Sequence, residues 1–415
     1  MPDSPLLSND AAVLALLVAT LGVIFWTASL DRPGFRTFYK YVPSLLVCYF
    51  IPSLYNTFGI VDPERSQLYF VASRYLLPAT LVLLTLSIDF KAILRLGPKA
   101  LIMFLTGTVG ILIGGPLAVL LFSAISPETV GGSGPDAVWR GLTTIAGSWI
   151  GGGANQAAMK EVFDVGDQIF SAMIAVDVLI GNLWIAVLLY LAGRATVLDE
   201  RMGADTSAID DLRLRVQAFR EKHARIPSFT DLMLIVAVGF GVSGLSHFIA
   251  DWLAPWIGRT APSLERLSLT SQFFWVVVLA TTGGLFLSFT KARTLEGAGA
   301  STVGSVMLYV LIATIGMGMD ITAIVERPGL FALGGVWMLI HVVLLFAVGR
   351  AIKAPTFYLA VGSVANVGGA ASAPVVASAF HPSLAPVGVL LAVLGYAIGT
   401  YGAWVCGQLM RMVIQ

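Results

Sequence analysis

The chain has 415 residues, of which 57% are hydrophobic and 12% charged, with a net charge of +1. Soluble domains carry about 25% charged residues, so half the usual solvating surface is missing and a water-soluble globule is excluded. The near-neutral charge gives no basis for nucleic-acid binding, and two cysteines, Cys48 and Cys406, both inside apolar runs, imply neither a disulfide framework nor a metal cluster.

Apolar segments fall near 11–30, 41–60, 67–88, 97–124, 138–163, 167–193, 231–257, 270–289, 301–320, 329–350, 355–380 and 384–412. About 20 residues are needed to cross a hydrocarbon core of about 30 Å, and the runs are continuous rather than alternating, which argues against a β-barrel. The chain therefore reads as an all-α polytopic membrane protein. The opening MPDSPLLSNDAAVLALLV holds two acids and no basic residue, unlike the positive start of a cleaved signal peptide, and points to an N-terminus outside. One polar stretch, 194–228, interrupts the series. It reads as a linker, with Leu212, Leu214, Val216 and Phe219 spaced as one short surface helix.

The two halves resemble each other. SIDFKAIL at 87–94 matches GMDITAIV at 318–325, pairing Asp89 with Asp320. GSWIGGGAN at 147–155 answers GSVANVGGAA at 362–371, and DVLIGNL at 177–183 answers GYAIGTY at 395–401. Three matches in one order at a nearly constant offset indicate an internal repeat, a common feature of secondary transporters.

Charge sets the topology. Twelve full crossings with the N-terminus outside leave 10 basic residues inside and 15 outside. If 138–163 and 355–380 instead enter and leave on one side, the inside set becomes Arg32, Arg36, Lys40, Lys91, Arg95, Lys99, seven residues in 194–228, Lys291, Arg293, Arg350 and Lys353, or 17 of 25. Each half (1–193 and 229–415) then has five spans plus one re-entrant glycine-rich hairpin. Five is odd, so the second repeat is inverted, and the hairpins enter from opposite faces. The 194–228 linker lies in the cytoplasm of a cell whose plasma (inner) membrane holds the protein.

Hairpin arms of about 11–13 residues reach about 16–20 Å, enough for the two tips to meet near the midplane. Broken backbone at that depth is tolerated only inside protein or beside a water-filled cavity, and glycine lets a ligand approach the chain closely. Helix N-terminal ends at each break favour an anion. Ser148, Gly151, Gly152, Gly153, Asn155 and Gln156 in one tip, with Ser363, Asn366, Gly368, Gly369 and Ser372 in the other, are the expected substrate-binding residues. Close helix packing is the alternative use of such glycines, and Gly110, Gly114, Gly239, Gly241 and Gly244, which are not duplicated, are read that way.

Asp177 lies about ten residues into its span, where an acid is costly and marks function. It is the expected proton or sodium site, with Asn182 beside it and Thr400 at the partner position. Asp89 and Asp320, at span ends, read as caps or loop residues; His341 reads as a packing residue, and Pro374 and Pro386 as shaping the second hairpin and last span.

GGGANQAA and NVGGAASAP in two inverted halves resemble the glycine-rich motifs of the sodium-coupled citrate and glutamate symporters, within the cation/proton antiporter and anion transporter superfamily. The chain is most similar to the YjcL-like family, from about residue 10 to 412. That resemblance implies panel helices, a mobile core with both hairpins, and a homodimer working by an elevator motion. No arginine lies in the tips or in the middle of the last span, and Arg411 is terminal. The expected function is ion-coupled secondary transport of a small organic anion or zwitterion, driven by Na⁺ or H⁺, with no cofactor beyond a coupling Na⁺. The alternative is a cation/proton antiporter without organic substrate, although Asp177 has no paired acid and Lys160 sits at a segment edge. An intramembrane enzyme is a remote reading: no GxSG, HExxH, GKS/T or cysteine–histidine cluster occurs.

Overall fold

The computed structural model describes residues 5–42, 44–204, 226–267, 269–319, 327–381 and 384–414. Helix accounts for 84% of the fold, and the only extended pairing among the described residues is an isolated bridge between Leu7 and Val61. The expected surface helix around Leu212–Phe219 and the Asp320 position lie outside the described residues.

In chain order, α1 (Asp10–Ser29) starts at Asn9, whose side chain accepts hydrogen bonds from the Ala11 and Ala12 amides. The short α2 (Pro33–Tyr41) and α3 (Ser44–Thr57) follow. Next comes α4 (Leu68–Leu86), whose turn at Ala72–Leu76 is widened to a π-helix. Pro78 explains that turn, because it lacks the N–H that would bond the Arg74 carbonyl. The freed carbonyl instead meets His247 Nε2 at 2.8 Å. Asp89 caps α5 (Phe90–Arg95) by accepting from the Ala92 amide, as its position at a span end suggested.

The first half continues with α6 (Pro98–Ile125), α7 (Val138–Gly151), α8 (Gly153–Val162), α9 (Asp167–Ala192) and α10 (Ala195–Met202). The second half holds α11 (Phe229–Thr260), α12 (Gln272–Leu287), α13 (Ala300–Gly318), α14 (Gly329–Ala351), α15 (Thr356–Val367), α16 (Gly369–Phe380) and α17 (Ala385–Ile414). In both halves two short helices joined at a glycine precede a long one.

Eight helices among the described residues are long and apolar enough to span a membrane: α1, α4, α6, α9, α11, α13, α14 and α17. The ten-span expectation also included α3 and α12. With 14 residues α3 rises about 21 Å, short of the bilayer core, and the chain turns at Gly59 with φ +65°. The 16-residue α12 bends by 94° into a short 3₁₀ segment, Lys291–Ala298, and the two count as a ninth span only if taken together.

The helices sort by contact into two groups. The first contains α6, α7, α8, α9, α14, α15, α16 and α17, and thus both broken pairs. The second contains α1, α3, α4, α11, α12 and α13. Glycines allow close approach within each: a Cβ on Gly114 would lie 2.7 Å from the Trp337 ring, and one on Gly316 would lie 2.5 Å from the Tyr49 carbonyl oxygen. Part of the expected linker is structured, since Asp199 of α10 is buried and accepts from both the amide and the hydroxyl of Thr356 at 2.7 Å, capping α15.

Candidate functional site

The break between α7 and α8 is at Gly152, with φ +75° and ψ −173°, a conformation essentially restricted to glycine. In an unbroken helix residues 147 and 155 would lie about 12 Å apart. A Cβ built on Gly147 would instead sit 2.6 Å from the Asn155 carbonyl oxygen, so the chain doubles back. The second break includes Gly369, φ +55°, and α15 packs on α16. The two breaks are adjacent: a Cβ on Gly369 would lie 3.7 Å from the Gly152 Cα.

Asp177 is buried behind the first break. Its Oδ2 accepts from the Ser148 hydroxyl at 2.7 Å and from Gln156 Nε2 at 2.8 Å, and its Oδ1 accepts from the Trp149 indole N–H at 2.7 Å. Ser148 and Trp149 precede Gly152 while Gln156 follows it, so one carboxylate joins both arms. Tyr49 of α3 donates to Gln156 Oε1 at 3.5 Å. Trp149 is a contributor the sequence reading passed over, because an indole in an apolar run reads as packing.

Asn155 and Asn366 are wholly buried and make matching bonds. Asn155 Nδ2 donates to the Gly151 and Tyr396 carbonyls at 3.0 and 3.1 Å, and its Oδ1 accepts from Thr400 at 2.6 Å. Asn366 Nδ2 donates to the Gly362 and Phe104 carbonyls, both at 2.9 Å, and its Oδ1 accepts from Thr108 at 2.8 Å. Each amide thus bonds its own helix four residues back, plus a carbonyl and a hydroxyl spaced i, i+4 on a neighbour. These bonds fasten the first hairpin to α17 and the second to α6. Gly151 belongs to the same contact, because a Cβ on Gly399 would fall 2.6 Å from the Gly151 Cα.

Ser363, which follows Gly362 as Ser148 follows Gly147, is bonded by Trp184 Nε1 and by His341 Nε2, both at 2.8 Å. His341 Nδ1 faces the Gly107 carbonyl at 3.0 Å. A carbonyl only accepts, so Nδ1 carries the hydrogen and Nε2 accepts from the serine hydroxyl. The buried His341 is therefore fully satisfied. Asp177 and Trp184, two turns apart on α9, reach one hairpin each.

No hydrogen bond among the described residues joins Asp177, Asn182 and Thr400 to one another. Asn182 donates back to the Val178 carbonyl of its own helix, and Thr400 bonds Asn155 and lies 3.2 Å from Thr281 of α12. Of the expected substrate residues, Ser148, Asn155, Gln156, Ser363 and Asn366 are buried in these bonds. Gly152, Gly153, Gly368 and Ser372, with Ala370 and Ala371, retain surface at the tips.

The family described as "Protein of unknown function (DUF819)" matches residues 15–413, which takes in both breaks and every helix that fastens them. The chain belongs to the DUF819 family. The "Uncharacterized membrane protein YjcL" of Bacillus subtilis (strain 168) is 25% identical over 373 residues, covering 84% of this chain and 85% of that protein.

A second polar cluster in this DUF819 chain lies where its two helix groups meet. Lys160 of α8 pairs with Asp167 at 2.9 Å, donates to the Tyr69 hydroxyl at 3.1 Å, and lies over the Tyr69 and Phe170 rings. Glu161 accepts from Tyr69 and pairs with Arg74 of α4 at 3.3 Å. Arg74 sits on the widened turn, with its guanidinium over Phe273. Charges on segments ninety residues apart gave no sequence signal of this contact.

Proposed function

We propose that this protein is a secondary active transporter that moves a small organic anion or zwitterion, coupled to Na⁺ or H⁺. The observation that carries this reading is the meeting of two glycine breaks, Gly152 and Gly369, from opposite halves of the chain and beside a buried acid. Backbone groups freed at a break need a partner, and in a membrane protein such breaks line binding sites. The solute first meets the backbone of Gly152, Gly153, Gly368, Ala370 and Ala371 and the Ser372 hydroxyl. The buried asparagines hold those tips in place rather than contacting the solute.

The two helix groups support an elevator motion, in which the group carrying both broken pairs is the mobile core and the other the scaffold. The halves then act as inverted repeats, and 138–163 and 355–380 as re-entrant hairpins. The resemblance of the glycine-rich motifs to those of sodium-coupled citrate and glutamate symporters supports a reading within the cation/proton antiporter and anion transporter superfamily. It also favours a homodimer in the plasma (inner) membrane, N-terminus outside and 194–228 in the cytoplasm. The chain is read as a carrier rather than an enzyme.

The test is uptake by the purified protein in proteoliposomes, across a panel of carboxylates and amino acids, with imposed Na⁺ or H⁺ gradients. Gradient-driven accumulation of at least one solute is expected. Indifference to both gradients throughout would contradict the reading. A protease site placed near Ala204 should be cut only from the cytoplasmic side.

A further inference from the structure

The three groups around Asp177 are all hydrogen donors. The indole of Trp149 can only donate. The acceptor-only carboxylate takes the Gln156 Nε2, which leaves Oε1 to accept from the Tyr49 hydroxyl. The Ser148 hydroxyl completes the set. A hard cation such as Na⁺ needs several oxygen ligands, and on the Oδ1 side of Asp177 it would face the indole N–H of Trp149. The arrangement suits a bare carboxylate, whose smallest neutralising ligand is a proton.

Uptake of that proton has a geometric consequence. Oδ2 receives one donor from each arm of the hairpin, Ser148 before the break and Gln156 after it. A hydronium that gives its proton to Oδ2 leaves water behind and an O–H on the carboxyl. That O–H needs an acceptor, and the Trp149 indole cannot serve. The Ser148 oxygen can by turning its own hydrogen away, and Gln156 can by exchanging Oε1 for Nε2 against the Tyr49 hydroxyl. Either way the charge-assisted bonds that join the arms give way to neutral ones of roughly half the strength.

We propose that Asp177 is a proton-binding group that fastens the first hairpin: as a carboxylate it holds the two arms together across Gly152, and protonation loosens them. Deepening the transport reading, and resting on it for the consequence alone, this makes H⁺ rather than Na⁺ the coupling ion.

The other titratable groups on packed elements are already engaged. On α8, Lys160 and Glu161 pair with Asp167 and Arg74. Arg140 of α7 bonds the Phe163 and Asp164 carbonyls, and Asp136 accepts from the Ile169 amide. His341 of α14 lies between Gly107 and Ser363. Tyr49 faces the acid directly as well as donating to Gln156, and Tyr358 of α15 is buried.

The test is hydrogen exchange of the purified full-length protein without solute, followed by mass spectrometry across a pH series, in NaCl and in KCl. After correction for intrinsic exchange, amides of 150–156 should exchange about tenfold faster on the acid side of a one-proton step, the scale of exchanging a hydrogen bond to a charged group for a neutral one. Asp177→Asn should exchange fast at every pH, with no step, while the second hairpin stays protected. Replacing Na⁺ by K⁺ should change nothing. A missing step in the wild type, an unaltered step in Asp177→Asn, or protection that rises with Na⁺ overturns the proposal. Should Asp177→Asn expose the second hairpin too, Asp177→Glu replaces it, and a displaced step supports the proposal while an unmoved one overturns it. A clear step with no solute uptake in proteoliposomes would remove the transport reading and leave the fastening intact.

Discussion

Alanine at each of three consecutive glycines should give three different outcomes, because each glycine is there for a different reason. At Gly153 the backbone is helical and a Cβ would lie 4.0 Å from Ile312 Cδ1. Nothing clashes, and alanine gains up to about 0.5–1 kcal/mol of helix propensity. At Gly152 there is also room, with Tyr396 at 3.7 Å, but φ is +75°. Alanine there costs about 1–3 kcal/mol of backbone strain. At Gly151 a Cβ would be 2.1 Å from Asn155 Nδ2 and 2.8 Å from the Gly395 carbonyl oxygen. The Asn155 amide must leave its place, and groups bonded to it lose their partner at about 1–3 kcal/mol each, a total of about 3–5 kcal/mol. The assay is thermal unfolding of the detergent-purified variants at one scan rate, since such unfolding is often irreversible. The expected order is Gly153→Ala at or above wild type, then Gly152→Ala, then Gly151→Ala. If Gly153→Ala falls as far as Gly151→Ala, or Gly152→Ala is unchanged, the reasoning about the tip is refuted.

Asn366→Ala should destabilise by about 2–4 kcal/mol, since Phe104 O and the Thr108 hydroxyl lose their partner in a buried site; chemical denaturation of the purified variant measures it. Glu161→Gln removes a largely buried partner of Arg74 and should lower the unfolding temperature more than Asp164→Asn does, whose carboxylate is exposed. Asp89, outside the spanning helices, gives a pH dependence. Burial pushes its carboxyl up, but the Ala92 amide and the Arg293 guanidinium outweigh this and hold it below the ordinary carboxylate value. A depressed folded value means its contribution is complete above the unfolded value of about 3.9 and fades as pH falls through the folded one. Arg293→Met should therefore cost about 1 kcal/mol near neutral pH and less in acid, read from melting curves at descending pH.

The features legible in the sequence are those with a local cause. Gly114–Gly115, Gly283–Gly284 and Gly334–Gly335 stay inside unbroken helices, so it was the duplication of the glycine runs, each followed by polar residues, that placed both breaks, and an acid deep in an apolar run marked Asp177. What the bonds around them do was not legible, because each partner comes from a distant segment. Asn155 read as a solute contact but spends its amide on Tyr396 and Thr400, more than 240 residues away. Asn182 read as part of the ion site, yet it bonds its own helix, an option open to any asparagine mid-helix. Glu161 stands at the end of its apolar run, where charges ordinarily face solvent, and Arg74 lies inside another run with no local sign of which residue it meets. The linker start misled for the reverse reason: polar composition conceals that Asp199 is buried as a cap for α15.

The meeting of the two breaks is most directly tested by cross-linking in native membranes. In a background with Cys48 and Cys406 replaced by serine, the pair Gly152→Cys and Gly369→Cys should form a disulfide under mild oxidation, as the 3.7 Å between a Cβ on Gly369 and the Gly152 Cα allows. Neither single variant should do so. A double variant that stays fully reduced while both thiols remain open to small alkylating reagents would show that the two tips do not share a site, and the account built on them would fall.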